Sequence, residues 1–119
     1  MKYLCLVYLE HGALEGLSAE AQGALDRASL AYDAELARRG RFLAASALQG
    51  VATASTVRWR NGKPLVTDGP FAETKEVLAG FVFVEARDKD EALEIAAAIP
   101  VGRYGAIEVR PELDFGDPA

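Results

Sequence analysis

The sequence predicts an α+β fold, and three observations point to it. Two short segments, residues 3–9 and 78–84, are apolar at nearly every position, whereas two longer stretches repeat apolar residues every three or four positions behind good helix caps. Asn61-Gly62 between strand-like runs marks a tight hairpin. With 119 residues, half of them apolar, the chain is expected to form one domain over residues 1–111 with a polar tail over 112–119.

Tyr3 to Leu9 is too short for a globular helix and rich in aromatic and aliphatic types, so it reads as a strand. Successive strand residues point to opposite faces, so apolar side chains at both parities imply that both faces are covered. Ser18 then caps a helix reaching Arg39, with an apolar stripe at Ala21, Leu25, Ala28, Tyr32 and Leu36. Arg38 and Arg39 in its last turn suit the helix dipole, and Gly40 suits a left-handed cap.

Phe42 to Leu48 and Ser55 to Arg60 read as strands, and Pro64 to Thr67 returns from the Asn61-Gly62 turn. Pro64 lacks an amide donor, which puts this returning strand at an edge. Within Val57-Arg58-Trp59-Arg60 the alternation puts the arginines on an exposed face and Trp59 on a covered one. Leu78 to Val84 is the second doubly apolar strand, with Phe81 and Phe83 on one face and Val82 and Val84 on the other. Asp88 followed by Glu91 resembles a capping box for a helix with Ala92, Ile95, Ala96 and Ile99 inside, which Pro100 stops. Ala106 to Arg110 is the last strand, with Ile107 and Val109 on one face and Glu108 and Arg110 on the other.

This order is the βαββαβ pattern of a ferredoxin-like sandwich with an inserted β-hairpin. Helices cover one face of such a sheet, so the doubly apolar strands need a second cover. A second copy around a two-fold axis supplies it, which predicts a homodimer forming a dimeric α+β barrel.

Thirteen Lys and Arg against eighteen Asp and Glu leave a net charge of −5, the wrong sign for a nucleic-acid or anionic-membrane surface. The longest apolar run, Tyr3 to Leu9, has seven residues, far short of the roughly 20 that span a bilayer. Met1 and Lys2 imitate the start of a signal peptide, but Glu10 and His11 close the run and no small-residue cleavage site follows, so a cytoplasmic protein is expected. A single cysteine excludes an internal disulfide, and a single histidine leaves no zinc ligand set. Neither metal nor cofactor is expected.

Chemistry concentrates in Thr67 to Glu76. Asp68 is placed to accept backbone amides, Gly69 to take dihedrals closed to other residues, and Pro70 to fix the exit, which makes a rigid turn. Phe71 follows as an apolar anchor, then Glu73, Lys75 and Glu76. Such a turn could orient a small polar ligand against Asp68, Glu73 and Lys75; equally, Asp68 could be only a turn cap and the charges a solvated rim.

Asp68-Gly69-Pro70-Phe71, continuing as Ala72-Glu73-Thr74-Lys75-Glu76 and then Leu78-Ala79-Gly80-Phe81, resembles the signature of DGPF-domain proteins within the YCII-related family. Met1-Lys2-Tyr3-Leu4 and Arg103-Tyr104-Gly105 with Ile107-Glu108-Val109-Arg110-Pro111 resemble the two ends of that family, so the resemblance runs from about Met1 to Pro111. It implies a dimeric α+β barrel built from ferredoxin-like protomers. Some members carry a cleft and a histidine-aspartate pair that suggest an enzyme, but the helix from Ser18 to Arg39 holds no histidine, so that pair does not transfer. The resemblance also implies a link to extracytoplasmic-function sigma factors and hence a regulatory or accessory role.

His11, in a loop after the first strand, is the one candidate replacement base, with an ordinary pKa of about 6.5 that suits proton transfer. Cys5 reads as a small buried hydrophobe. Tyr8, near the end of the first strand, and Arg103 with Tyr104 before the last one join Phe71, Glu73 and Lys75 as candidate ligand contacts, the arginine fork suiting a carboxylate. Two functions stand: a cleft protein that binds a small organic acid or lactone-like molecule, with Asp68 as the acid or base, and a non-catalytic module that meets another protein through its hairpin, with exposed Trp59 as the feature to look for.

Overall fold

The computed structural model of the chain describes residues 1–116. Its elements run β1 (Lys2–Glu10), α1 (Ala19–Arg38), β2 (Phe42–Ala47), β3 (Ser55–Arg60), β4 (Lys63–Asp68), β5 (Glu76–Glu85), α2 (Lys89–Ala97) and β6 (Gly105–Pro111), with 3₁₀ turns at Val51–Thr53 and Pro100–Tyr104. The fold is α+β. One antiparallel sheet has the order β2-β5-β1-β6, and β3 with β4 forms a second sheet of its own.

Alternation in β1 decides which face meets the helices. Tyr3, Cys5, Val7 and Leu9 are buried, and across the strand pairs they meet Val84, Val82 and Gly80 of β5 and Val109 and Ile107 of β6. Both helices cover this face through Leu36 of α1 and Ala92, Ile95 and Ala96 of α2, which join the same cluster. The Tyr32 hydroxyl ties the two helices by donating to the Ile95 carbonyl at 2.8 Å.

Local signals set the ends of the helices. Ser18 Oγ accepts from the Ala21 amide at 3.1 Å, Asp88 Oδ1 accepts from the Glu91 amide at 2.9 Å, and Gly40 leaves α1 at φ 70°. After α2 the chain does not simply stop at Pro100: the proline opens a 3₁₀ turn, whose fixed φ suits that first position. The α1 stripe needs a correction. Leu36 is fully buried and Tyr32 half-buried, but Ala28 is exposed, because at about 100° per residue it lies roughly 80° around the helix from Leu36.

The opposite sheet face carries Leu4, Leu6, Tyr8, Phe81 and Phe83, all half-buried, and no helix among the described residues lies over them. The hairpin stands apart. Asn61 at φ 53° and Gly62 at φ 76° make the two-residue turn that the sequence predicts, and β3 pairs only with β4. The radius of gyration, 16.4 Å, exceeds the roughly 13.5 Å of a compact chain of this length, in keeping with a projecting arm.

Trp59 overturns its expected cover: it is 70% exposed, with Val57 and Val66 also open beside it. Val57, Arg58, Trp59 and Arg60 are all exposed, because among the described residues no second layer lies over either face of this two-stranded sheet at those positions. Phe71 is likewise no buried anchor, at 72% exposure. The tail expected over 112–119 is exposed through residue 116, and its last three residues lie outside the described ones.

Candidate functional site

Two concavities are candidates for a ligand site. The larger in consequence is a cavity of about 510 Å³ between α1 and the edge of the sheet, with Val7, Gly80 and Val82 in its floor, Leu48 on β2's exit and Pro100 and Val101 at one end. Gly80 lets β2 approach β5 closely beside this cavity: a Cβ there would stand 2.5 Å from the Ser46 carbonyl oxygen, so no side chain fits without moving β2.

The α1 wall of this cavity carries Gln22, Asp26, Ser29 and Asp33. These polar residues lie within about 60° of one another around the helix, beside the apolar stripe of Leu25, Tyr32 and Leu36. Gln22 Nε2 donates to Asp26 Oδ1 at 2.9 Å. Burial pushes the Asp33 carboxyl above its ordinary value of 3.8, because leaving water disfavours the charged form. Tyr32, also lining the cavity, is pushed up chiefly by burial. A carboxyl raised in this way across from an apolar floor is suited to exchange a proton with a bound molecule.

The second concavity, a depression of about 610 Å³, lies beside the Asp68 turn and is lined by His11, Gly69, Pro70, Glu73 and Thr74, among others. His11 Nε2 sits 2.9 Å from the Thr74 carbonyl, which can only accept, so this nitrogen donates to it. The turn is held through glycine backbone: the Gly69 amide donates to the Ala54 carbonyl at 2.7 Å, and the Thr56 hydroxyl donates to the Gly69 carbonyl at 2.8 Å. Asp68 ends β4 opposite Ser55 with its side chain exposed. Arg58 Nη2 donates to the Phe71 carbonyl at 2.8 Å, so the hairpin grips the backbone of that residue while its ring stays in solvent.

Of the residues singled out by sequence, the fold thus brings His11 and Glu73 together beside the Gly69-Pro70 turn. Lys75 is exposed just before β5. Tyr8 lies on the helix-free sheet face opposite Leu78 and Ala106, and Arg103 and Tyr104 sit exposed in the 3₁₀ turn before β6. None of these lines the α1 cavity. Cys5 is fully buried in the core, its thiol pushed up to about 11 by burial. Among the described residues, no group of three or more His, Cys, Asp or Glu side chains converges as a metal site. No described helix is long and apolar enough to cross a membrane.

Gln22, Asp26, Ser29 and Asp33 are the part of the site that reading the sequence misses. The signal is there, polar residues recurring at helical spacing next to an apolar stripe, but the same pattern is the usual mark of a solvated flank.

Three comparisons place these features among known proteins. A family model described as the YCII-related domain matches residues 1–116. An uncharacterized protein of Rhizobium meliloti (strain 1021) is 33% identical over 113 residues, covering 93% of this chain and 91% of its own. Among solved structures, the chain is similar in fold to 5-chloro-2-hydroxyhydroquinone dehydrochlorinase from Burkholderia phenoliruptrix AC1100, in complex with 2,5-dihydroxybenzoquinone. The TM-score is 0.57 at 17% identity, over 95% of this chain and 94% of the other.

Proposed function

From the premise that this chain belongs to the YCII-related domain family, we propose that it binds a small organic molecule in the α1 cavity, as a homodimer, with Asp33 as the group that exchanges a proton with the ligand. The observation that carries the reading is the combination of a cavity of about 510 Å³, within the range of ligand sites, and a carboxyl at its wall raised by burial. The reading moves the acid–base role expected of Asp68 to Asp33, since Asp68 is exposed at the end of β4 and does not line the cavity. His11, Glu73 and the turn they flank remain as a second, lesser polar subsite. A fold neighbour solved with a ring-sized organic molecule supports a ligand of similar size.

The homodimer draws support from the helix-free sheet face. Leu4, Leu6, Phe81 and Phe83 form a continuous apolar patch across β1 and β5, and the strand order β2-β5-β1-β6 is that of a ferredoxin-like sheet. Two such faces packed around a two-fold axis would close a dimeric α+β barrel. Light scattering after gel filtration tests it: twice the 12.7 kDa chain mass supports the barrel, and a monomer overturns it.

A thermal-shift screen against small organic molecules tests the site, with Asp33→Asn and Asp68→Asn beside the wild type. A ligand at about a hundred times its dissociation constant adds roughly 2.7 kcal/mol, enough to move the midpoint visibly. A hit lost in Asp33→Asn and kept in Asp68→Asn supports the cavity; the reverse puts the site at the turn.

One observation favours a second reading, a non-catalytic module that meets another protein through its hairpin. Trp59 is 70% exposed beside Val57 and Val66, and tryptophan is enriched at binding hot spots. Acrylamide quenching separates the two: free quenching of this single tryptophan marks an open patch, and protection in the dimer removes the anchor.

A further inference from the structure

The polar groups around the α1 cavity differ in what they have left to offer. The Gln22 amide spends one of its two N–H groups on Asp26, and the Tyr32 hydroxyl spends its proton on the Ile95 carbonyl. What these lining residues have left unspent is mostly acceptor: the Asp33 carboxylate, the second oxygen of Asp26 and the Gln22 carbonyl against the one remaining Gln22 N–H, with the Ser29 hydroxyl able to act either way. A ligand that satisfies this wall must bring hydrogen-bond donors.

Charge narrows the choice. Among the described residues, two carboxylates line the cavity and no Lys, Arg or His does. Arg39 acts on the Tyr32 hydroxyl from the end of the helix without lining the cavity. An organic anion entering here would lose its water, meet like charge at Asp26 and Asp33, and find no counter-ion, a costly combination beside apolar walls. A cation would find counter-charge but would also lose its hydration against a floor built from Val7, Gly80 and Val82.

We infer that the α1 cavity takes an uncharged, ring-sized molecule carrying hydroxyl donors and turns away organic anions, a specificity that rests on the reading of this cavity as the ligand site. It departs from the organic acid that the sequence suggests, for which an arginine at the wall would be needed.

Four probes of similar size test it by titration calorimetry at pH 7: resorcinol, 1,3-dimethoxybenzene with the same ring and its donors blocked, benzoate and benzylamine. Resorcinol is expected to bind at least about tenfold more tightly than each of the others, the scale of one or two lost hydrogen bonds. Asp33→Asn should weaken resorcinol and narrow its margin over benzoate, since the amide removes one of the two repelling charges. Benzoate binding as well as resorcinol overturns the exclusion of anions. Benzylamine or the dimethoxy compound matching resorcinol overturns the uncharged-donor specificity while leaving the cavity as a site. If none of the four binds, the cavity itself falls as a ligand site, and the inference with it.

Discussion

The Arg41 guanidinium grips the buried carboxylate of Glu91 with two nitrogens, Nε to Oε1 at 3.1 Å and Nη2 to Oε2 at 3.2 Å. This joins the entry to β2 to the first turn of α2. The Arg87 backbone amide donates to Oε1 at 2.9 Å as well, so both carboxylate oxygens are held.

That grip makes a pH-dependent contribution to stability. The Arg87 amide first, and then the Arg41 and Arg87 guanidinium groups, hold the Glu91 carboxyl below its ordinary 4.5 despite burial, which acts the other way. A lowered native value means the contribution is complete above 4.5 and is lost as pH falls through the native value. Glu91→Gln is expected to lower the melting temperature by several degrees at pH 7, because Arg41 is left half-buried without its partner, and the gap should close in acid. Melting curves from pH 7 to pH 3 check this; a variant that melts with the wild type at pH 7 would refute it.

Gly105 has a different kind of constraint. A Cβ at this position would run into the backbone carbonyl of Tyr8, in the strand that β6 pairs with. Gly105→Ala must therefore push β6 away from β1, at a cost of about 1–3 kcal/mol by the usual scale of overpacking. Gly50, with open space around its Cβ position and an ordinary φ of −59°, is the control: Gly50→Ala is expected to stay within about 0.5 kcal/mol of the wild type in urea titrations.

Much of the fold is legible in the sequence because its signals are local. Ser18, Asp88, Gly40 and Asn61-Gly62 each act within a few residues, and each behaves in the structure as its chemistry dictates. Trp59 shows the limit: alternation says which face a side chain takes, but whether anything covers that face depends on a layer elsewhere in the chain or in another molecule. The site is legible for the same reason only in part. His11 and Glu73 meet beside the turn because the loop after β1 and the segment before β5 flank paired strands. Asp33 escapes notice because an acidic residue on a helix flank looks solvated until the fold sets a cavity against it.

Cys5 should be inert in the native chain. Burial holds its thiol near 11, so at pH 8 it stays protonated, and no solvent path reaches it in the middle of β1. Ellman's reagent is expected to find no reactive thiol at pH 8 until denaturant is added, and then one per chain. Rapid labelling without denaturant would mean that β1 opens under native conditions, at odds with its place between β5 and β6.

Asp33 is expected to behave in the opposite sense to Glu91. Burial raises its native value above 3.8, so its contribution to stability is favourable below 3.8 and is lost as pH rises through the native value. At pH 7 the ionised carboxylate therefore works against folding, as a group retained for binding and not for stability would. Asp33→Asn keeps the shape and removes the charge, so it should melt at or above the wild-type temperature at pH 7, with the difference fading as the pH approaches 3.8. A clear loss of stability at pH 7 would show instead that the carboxylate is held by contacts that support the fold. The α1 cavity would then lose the one acid–base group that its geometry singles out.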